Sequence, residues 1–249
     1  MAARPALLQP LDLLRPGAGP LLDAGCNVGS LLAQAARRGV HPLAGVDVNA
    51  AALEKAHALL APLGGARLIR APVDALPFMD GEFALAFCLE VLEHVPAPRR
   101  RAALVELHRV LRPGGLLCLS VPHAGAFAAL DPHNLRFRFP GLHRLAARAL
   151  GGPGREAGFE GGNAEVEWHH HFSLQELAAL TGGLFKVEAT RLRGALLEPI
   201  TNALEWPFYR RGRPDHPVAR ALRSVRDWER RANAGPRLAY NAVLLLRRA

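Results

Sequence analysis

Three acidic residues and one glycine-bearing turn carry the first chemical information in this 249-residue chain. Asp23 stands near the end of a short apolar run, Pro20-Leu21-Leu22-Asp23-Ala24, and the turn Gly25-Cys26-Asn27-Val28-Gly29 follows directly. Glycine there lets a ligand approach backbone that carries no Cβ and permits positive φ. A helix beginning beyond such a turn presents unpaired N–H groups at its start. Asp47, in Gly45-Val46-Asp47-Val48, lies eighteen residues after Gly29 (29 to 47), where an acid ending a second strand accepts both hydroxyls of a ribose. A dinucleotide site would want Gly-x-Gly-x-x-Gly, yet Asn27 and Ser30 stand at its second and third glycine positions. The fixed charge of Asp23 would also repel a pyrophosphate. An acid at that place suits a cofactor bearing an ammonium and a sulfonium, and NAD is disfavoured on charge.

These residues need a frame, and the hydrophobic pattern supplies one. Strands are predicted over 20–24, 41–48, 67–71, 83–89 and 116–121, with helices over 31–38, 50–60 (capped by Asn49) and 98–111. A short helix is expected over 5–15, closed by Pro16-Gly17, and Pro113-Gly114-Gly115 breaks the third long helix before the fifth strand. Beyond His123 the alternation fades. Residues 124–172 read as an insertion or lid, followed by a helix over 173–180 and a strand over 185–191. A basic, mostly helical stretch at about 195–236 precedes a last strand over 240–246. The fold class is α/β: a doubly wound, mostly parallel, Rossmann-like seven-stranded sheet with helices on both faces and an elaborated C-terminal half. One domain over 1–249 is expected, with 1–123 as the cofactor half and 173–249 as the C-terminal strands with their basic insertion.

Five segments together resemble a known family. Leu22-Asp23-Ala24-Gly25-Cys26-Asn27-Val28-Gly29 is similar to motif I of class I S-adenosylmethionine-dependent methyltransferases, and Gly45-Val46-Asp47-Val48 to their ribose-binding motif. Val73-Asp74-Ala75-Leu76-Pro77-Phe78 resembles the segment whose acid approaches the adenine amino group. Phe83 through Val95, with Cys88-Leu89-Glu90-Val91-Leu92-Glu93-His94-Val95, is similar to strand four and its exit in the small-molecule branch that includes ubiquinone-pathway enzymes. Leu111-Arg112-Pro113-Gly114-Gly115 resembles the usual break before strand five. The resemblance covers roughly 20–123, with a weaker echo at 171–191. It implies S-adenosylmethionine as cofactor, held by Asp23, Gly25, Asn27, Gly29, Asp47, Val48, Asp74, Ala75 and Leu89, and methyl transfer as the activity. Two positions depart from the pattern. Asn27 replaces a glycine, but asparagine tolerates left-handed backbone next best. Ala84 replaces a frequent aspartate.

Methyl transfer from a sulfonium is an in-line displacement that alignment can accelerate by up to ~7–11 kcal/mol. A base is needed when the acceptor must lose a proton, and histidine titrates near neutrality. His123, after strand five, is expected as the catalytic candidate, with His170 of Trp168-His169-His170-His171 as a second. His94 follows strand four and reads first as a structural hydrogen-bonder, and His133-Asn134 sits on the lid. Three adjacent histidines on an extended strand face alternate sides and cannot share one ion, so no metal is expected.

The acceptor is narrowed by exclusion. No Asn-Pro-Pro-aromatic motif occurs, none of Cys26, Cys88 and Cys118 follows a proline, and aromatics make up only 6% of the chain, too few for a base-stacking platform. A small-molecule or lipid-like acceptor, methylated at oxygen, is the leading expectation, and nucleic acid is disfavoured. An RNA or protein methyltransferase and a non-catalytic S-adenosylmethionine-binding regulator stand as alternatives. The formal net charge is +9, of which residues 205–249 hold +7 (eleven Arg against four acids). Within that tail, 217–232 reads as a helix with Val218, Leu222, Val225 and Trp228 on one stripe. Either the stripe packs on the domain with its Arg face solvated, or the helix lies at an anionic membrane. Three cysteines without metal-type spacing, no secretory leader pattern and no membrane-spanning run point to a cytoplasmic protein, with peripheral contact at the inner membrane face as the variant.

Overall fold

The computed structural model describes residues 10–131, 134, 139, 141, 169–210, 213, 215–232 and 234–249. Seven strands form one sheet: β1 (Leu21–Ala24), β2 (Leu43–Asp47), β3 (Arg67–Arg70), β4 (Phe83–Leu89), β5 (Leu111–Pro122), β6 (Phe185–Arg193) and β7 (Asn241–Arg248). Their order is β3-β2-β1-β4-β5-β7-β6. The first five pair in parallel, and β7 runs antiparallel to both β5 and β6. The carboxyl ends of β1–β6 and the amino end of β7 therefore share one edge of the sheet. This is the doubly wound, mostly parallel arrangement expected from the sequence.

Helices α1 (Ser30–Arg37), α2 (Ala50–Leu60), α3 (Ala97–Val110), α4 (Leu174–Thr181), α5 (Leu197–Arg210) and α6 (Pro217–Arg231) complete the described frame. Strand residues alternate between two cores, as side chains of period two must. Leu22, Ala86 and Cys88 pack with Leu104 and Leu107 of α3 and Leu177 of α4. Leu21, Leu85 and Phe87 pack with Leu32 of α1 and Leu53 and Leu60 of α2. Both faces of the central strands are thus covered, which explains why β1 and β4 are apolar throughout rather than alternating.

Three local expectations are corrected. The helix expected over 5–15 is a 3₁₀ turn at Pro10–Leu13, and residues 1–9 lie outside those described. Strand five begins at Leu111, before the Pro-Gly-Gly segment. Phe83 pairs with Leu111 and Leu85 with Leu116, so β4 advances two residues while β5 advances five. The excess is a bulge at Pro113-Gly114-Gly115, where Gly114 has φ 74°. Most of the expected lid over 124–172 lies outside the described residues, His133 and Trp168 included.

The third correction concerns α6. Its apolar stripe does not pack on the domain: Trp228 is 68% exposed, and Val218 and Val225 are exposed as well. The Arg face turns inward instead. Arg226 donates to Glu205 of α5 at 2.7 Å, Arg230 donates to Glu198, and Glu229 accepts the N–H groups of Leu197 and Glu198 at 3.0 and 2.9 Å. The cause lies in α5, which buries Glu198 and Glu205. A buried carboxylate without a cation costs far more than exposing a valine or tryptophan, so charge pairing sets the rotation of the helix.

Candidate cofactor and acceptor site

The expected cofactor residues converge on the carboxyl edge. Asp23, next to the end of β1, lies beside Gly45 and Phe87 of the neighbouring strands. Gly25, Asn27 and Gly29 form the turn into α1, all with positive φ (88°, 46° and 77°). The left-handed tolerance of asparagine is therefore used at Asn27. Gly25 has a second requirement, since a Cβ there would stand 2.3 Å from Val91 Cγ2. Asp47 ends β2, Val48 follows it, Asp74 and Ala75 lie just beyond β3, and Leu89 ends β4. Ala84 sits near the opposite end of β4, where its N–H donates to Pro20 O at 2.9 Å. The replaced aspartate is thus remote from the carboxyl edge.

Asp47 is held by backbone. Oδ2 accepts from Asn27 N–H at 2.8 Å and Oδ1 from Asn49 N–H at 2.9 Å. The first bond ties the turn after β1 to the end of β2, and each oxygen keeps a lone pair for a ligand hydroxyl. Asp23 differs. It is 5% exposed, and among the described residues nothing donates a hydrogen bond to its carboxylate. Burial, reinforced by the charge of Asp47, pushes this carboxyl up to about 7. A buried acid in that condition fits a ligand ammonium, and the Cβ-free backbone at Gly25 fits close approach. The residues present suit an adenosyl cofactor with an amino-acid tail.

Asp74 shows a feature that the sequence hid. Its carboxylate, 8% exposed, is taken by Arg99 of α3, with Nη2 donating to Oδ1 at 2.8 Å and Nε to Oδ2. The loop that carries Asp74 is fixed from the same helix. Glu106 accepts Leu76 N–H at 2.8 Å, while Arg109 donates to the carbonyls of Leu76 and Phe78 at 2.9 and 2.8 Å. Nothing in the run Arg99-Arg100-Arg101 distinguishes the first arginine by type.

On the acceptor side the histidines separate. His123 is 4% exposed, and its Nδ1 and Nε2 lie 2.9 and 3.0 Å from the carbonyls of Phe172 and Pro236. Both ring nitrogens face backbone carbonyls, so His123 is a clip joining three segments, and one N–H can serve only one of those carbonyls in the neutral ring. His169 and His171 turn to one acid, Asp131 Oδ2, at 2.5 and 2.7 Å, while His170 turns the other way to Glu176 at 2.8 Å. The alternation argued from strand geometry is present. Burial lowers the pKa of His170 and Arg100 lowers it further, against the pull of Glu176. Its contacts place it with α4, away from the Asp131 group.

The acid that sequence reasoning passed over is Glu93. It is fully buried, and among the described residues neither carboxylate oxygen has a hydrogen-bond partner. His169 Nε2 stands 3.7 Å from Oε1 and His94 Nε2 4.0 Å, beyond hydrogen-bond reach. Burial pushes Glu93 up to about 7, with His169 opposing. Burial works against charge on His169 too, but Asp131 and Glu93 outweigh it and raise that imidazole to about 10. Glu93, His94 and His169 offer ligand atoms within 4.8 Å of one another, as do Asp131, His169 and His171, so these are the described residues able to hold a divalent ion. The strand argument against a metal considered the three adjacent histidines alone and could not see Glu93 and His94 brought to them.

With the carboxyl-edge acids and the left-handed turn in place, comparison with known proteins becomes informative. Residues 22–119 match the methyltransferase domain family. The matched span carries β1 through most of β5, hence the whole expected cofactor side. A ubiquinone biosynthesis O-methyltransferase of Pseudomonas aeruginosa (strain UCBPP-PA14) is 35% identical over 152 residues, 56% of this chain and 64% of that protein. An uncharacterized methyltransferase of Mycobacterium sp. (strain JLS) is 40% identical over 105 residues, 42% of this chain and 39% of its own length. The chain thus spans less than two thirds of these relatives. Among solved structures, an S-adenosylmethionine dependent methyltransferase from Mesorhizobium loti superposes with TM-score 0.56 at 20% identity, covering 96% of both chains. The geranyl diphosphate C-methyltransferase of Streptomyces coelicolor A3(2) gives 0.56 at 16% identity, covering 96% of this chain and 75% of that one. At such identities the likeness is one of fold: this chain has the Rossmann-like sheet of these enzymes.

Proposed function

We propose that the protein is an S-adenosylmethionine-dependent methyltransferase acting on a small-molecule or lipid-like acceptor at oxygen. The observation that carries this reading is the pair of carboxylates at one edge: Asp47 held by two amides beside a left-handed turn, and Asp23 buried without a described donor. Asp47 binds the ribose hydroxyls, Asp23 the ammonium, and Asp74 the adenine amino group. Bound S-adenosylmethionine supplies a methyl group on a sulfonium, an electrophile that needs no further activation. The chain's own contribution is alignment, exclusion of water and the destination of the acceptor's proton. For that destination the Glu93–His94–His169 group is set ahead of His123, because Glu93 is a buried acid whose two oxygens have no hydrogen-bond partner among the described residues. The resemblance to O-methyltransferases of ubiquinone biosynthesis supports an oxygen acceptor.

The same reading extends to peripheral contact with an anionic membrane through the exposed stripe of α6, where Arg220 and Arg231 flank Val218, Val225 and Trp228. Among the described residues no helix is long and apolar enough to cross a membrane. Calorimetric titration with S-adenosylhomocysteine, with NAD as control, tests the cofactor. Transfer of a labelled methyl group to a panel of phenols and quinol precursors tests the reaction. Binding of NAD alone, or of neither ligand, overturns the reading.

A further inference from the structure

Arg193 closes β6 at the carboxyl edge, in register with Asn241 at the amino end of β7. Its guanidinium is half-buried, and among the described residues only one of its nitrogens has a hydrogen-bond partner, Nε donating to Asn241 Oδ1 at 3.3 Å. The side-chain amide of Asn241 is oriented by what lies beyond it. Its Nδ2 donates to Glu90 Oε1 at 2.7 Å, and Ser120 Oγ donates to the same oxygen at 2.6 Å. Glu90 itself has φ 56°, a left-handed backbone that an L-residue holds only at a cost and only where its surroundings fix it. A chain of contacts thus runs from the exit of β4, three residues before Glu93, across β5 and β7 to Arg193.

Two further guanidinium groups stand near this one, and each is engaged by α5 or α6. Arg191 donates to the carbonyls of Arg230 and Arg231 at 2.8 and 2.7 Å, closing the end of α6, and Arg230 is paired with Glu198. Burial, then the charges of Arg230 and Arg191, lower the pKa of Arg193, against Glu90 and Glu198. Arg193 therefore combines partial burial, like-charged neighbours and a terminal fork whose donors have no partner among the described residues. A planar fork with parallel N–H groups matches a carboxylate or phosphate bidentately, and such an anion offsets the local positive charge.

We infer that Arg193, aligned by Asn241 and Glu90, binds an anionic oxygen group, carboxylate or phosphate, on the methyl acceptor. The acids Asp23, Asp47 and Asp74 gather at β1–β3, whereas Arg193, with no partner for its terminal fork among the described residues, stands at β6 at the other end of the sheet. A cationic sulfonium cofactor sits at the acidic end and an anionic acceptor at the basic end. In calling the ligand an acceptor, the inference rests on the methyl-transfer reading.

The test is a titration of the full chain, ¹⁵N-labelled at arginine, with benzoate and separately with inorganic phosphate, following the Arg193 Nε–H resonance identified by its loss in Arg193→Lys. A saturable shift is expected with at least one anion. Saturation by benzoate alone assigns a carboxylate, and by phosphate alone a phosphorylated acceptor. Calorimetry should show at least tenfold weaker binding to Arg193→Gln. Should that variant melt early, Arg193→Lys serves instead, keeping the charge while losing the fork, with an intermediate loss expected. Linear, unsaturating shifts with both anions, or equal affinity in a folded variant, overturn the inference. Parallel titration with S-adenosylhomocysteine separates the two claims. Anion binding without it overturns methyl transfer and leaves the anion site, and the converse overturns the anion site alone.

Discussion

Arg99 grips the carboxylate of Asp74 with two donors, Nη2 on Oδ1 at 2.8 Å and Nε on Oδ2, at the place proposed for an adenine amino group. The pair sits at the surface on one side, since Arg99 is 44% exposed and Asp74 8%. Exposed pairs of this kind are worth about 0.2–1 kcal/mol, so Arg99 is a weak competitor for the acid. Arg99→Ala should tighten S-adenosylhomocysteine binding by up to about fivefold, and Asp74→Ala should weaken it. Calorimetry on both variants checks this. Weaker binding by Arg99→Ala would make the arginine a support for Asp74 rather than a rival.

One substitution separates the backbone contacts of Asp47 from its proposed ribose role. As a carboxylate it offers an acceptor to each of Asn27 N–H and Asn49 N–H and still has lone pairs for ribose. In Asp47→Asn, one of those amides meets an NH₂ group, a donor facing a donor. Loss of one hydrogen bond to a charged group costs about 1.5–3 kcal/mol, equivalent to roughly 10- to 150-fold in affinity. S-Adenosylhomocysteine binding should weaken by at least that much in Asp47→Asn while the far-ultraviolet spectrum is unchanged. Wild-type affinity would remove Asp47 from the ribose.

Binding through Asp23 should depend on pH. Its carboxyl, raised to about 7 by burial and by Asp47, is mostly protonated at pH 6 and mostly ionised at pH 8 in the free protein. An ammonium binds the ionised form, so affinity for S-adenosylhomocysteine should rise between pH 6 and 8 and then level. The sign for stability is opposite. A folded-state pKa above the unfolded value of 3.8 means that this group's contribution falls as pH rises from about 4 to 7. Asp23→Asn should flatten the binding profile and remove that loss. A profile in the variant as steep as wild type would assign the dependence elsewhere.

How far these residues were legible in the sequence follows from what fixes each of them. Asp23, Asp47 and the turn between them were readable because a βα unit brings the ends of β1 and β2 together over a short stretch of chain, so spacing reports geometry. Ala50–Leu60 and its Asn49 cap were readable because capping and helical period are local. Asn241 and Glu90 are 151 positions apart and meet through strand order, which spacing does not encode. Glu93 stands inside the segment after strand four, but its full burial beside His94 and His169 is a property of the packing around it. The rotation of α6 was misread for a related reason. Its own stripe favoured one face, and the buried Glu198 and Glu205 of another helix imposed the opposite one.

Gly25 and Asn27 share positive φ but should respond differently to a side chain. A Cβ at Gly25 meets Val91 Cγ2 at 2.3 Å, whereas Asn27 already carries one at φ 46°. Gly25→Ala should therefore lower Tm and abolish cofactor binding, because Val91 must move into the ligand's approach. Asn27→Gly should be neutral or slightly stabilising, since glycine visits that conformation without penalty. Asn27→Val should destabilise, as a β-branched residue resists left-handed backbone most. Differential scanning of the three variants decides between backbone geometry and side-chain chemistry at the turn.

The exposed stripe of α6 makes a claim about surfaces that can be separated from charge. Trp228 is 68% exposed on a helix whose inward arginines are already paired with Glu198 and Glu205, so those cations are spent inside the protein. Attraction to an anionic bilayer must come from the outward Arg220 and Arg231, and retention from Val218, Val225 and Trp228 entering the interface. Co-sedimentation with vesicles containing phosphatidylglycerol should therefore weaken with added salt. It should also fall several-fold in Trp228→Ser at constant salt, with no change in S-adenosylhomocysteine affinity. Binding that responds to salt but not to Trp228→Ser would mean that the basic surface alone makes the contact. No sedimentation with vesicles at physiological salt would leave the stripe without a membrane role.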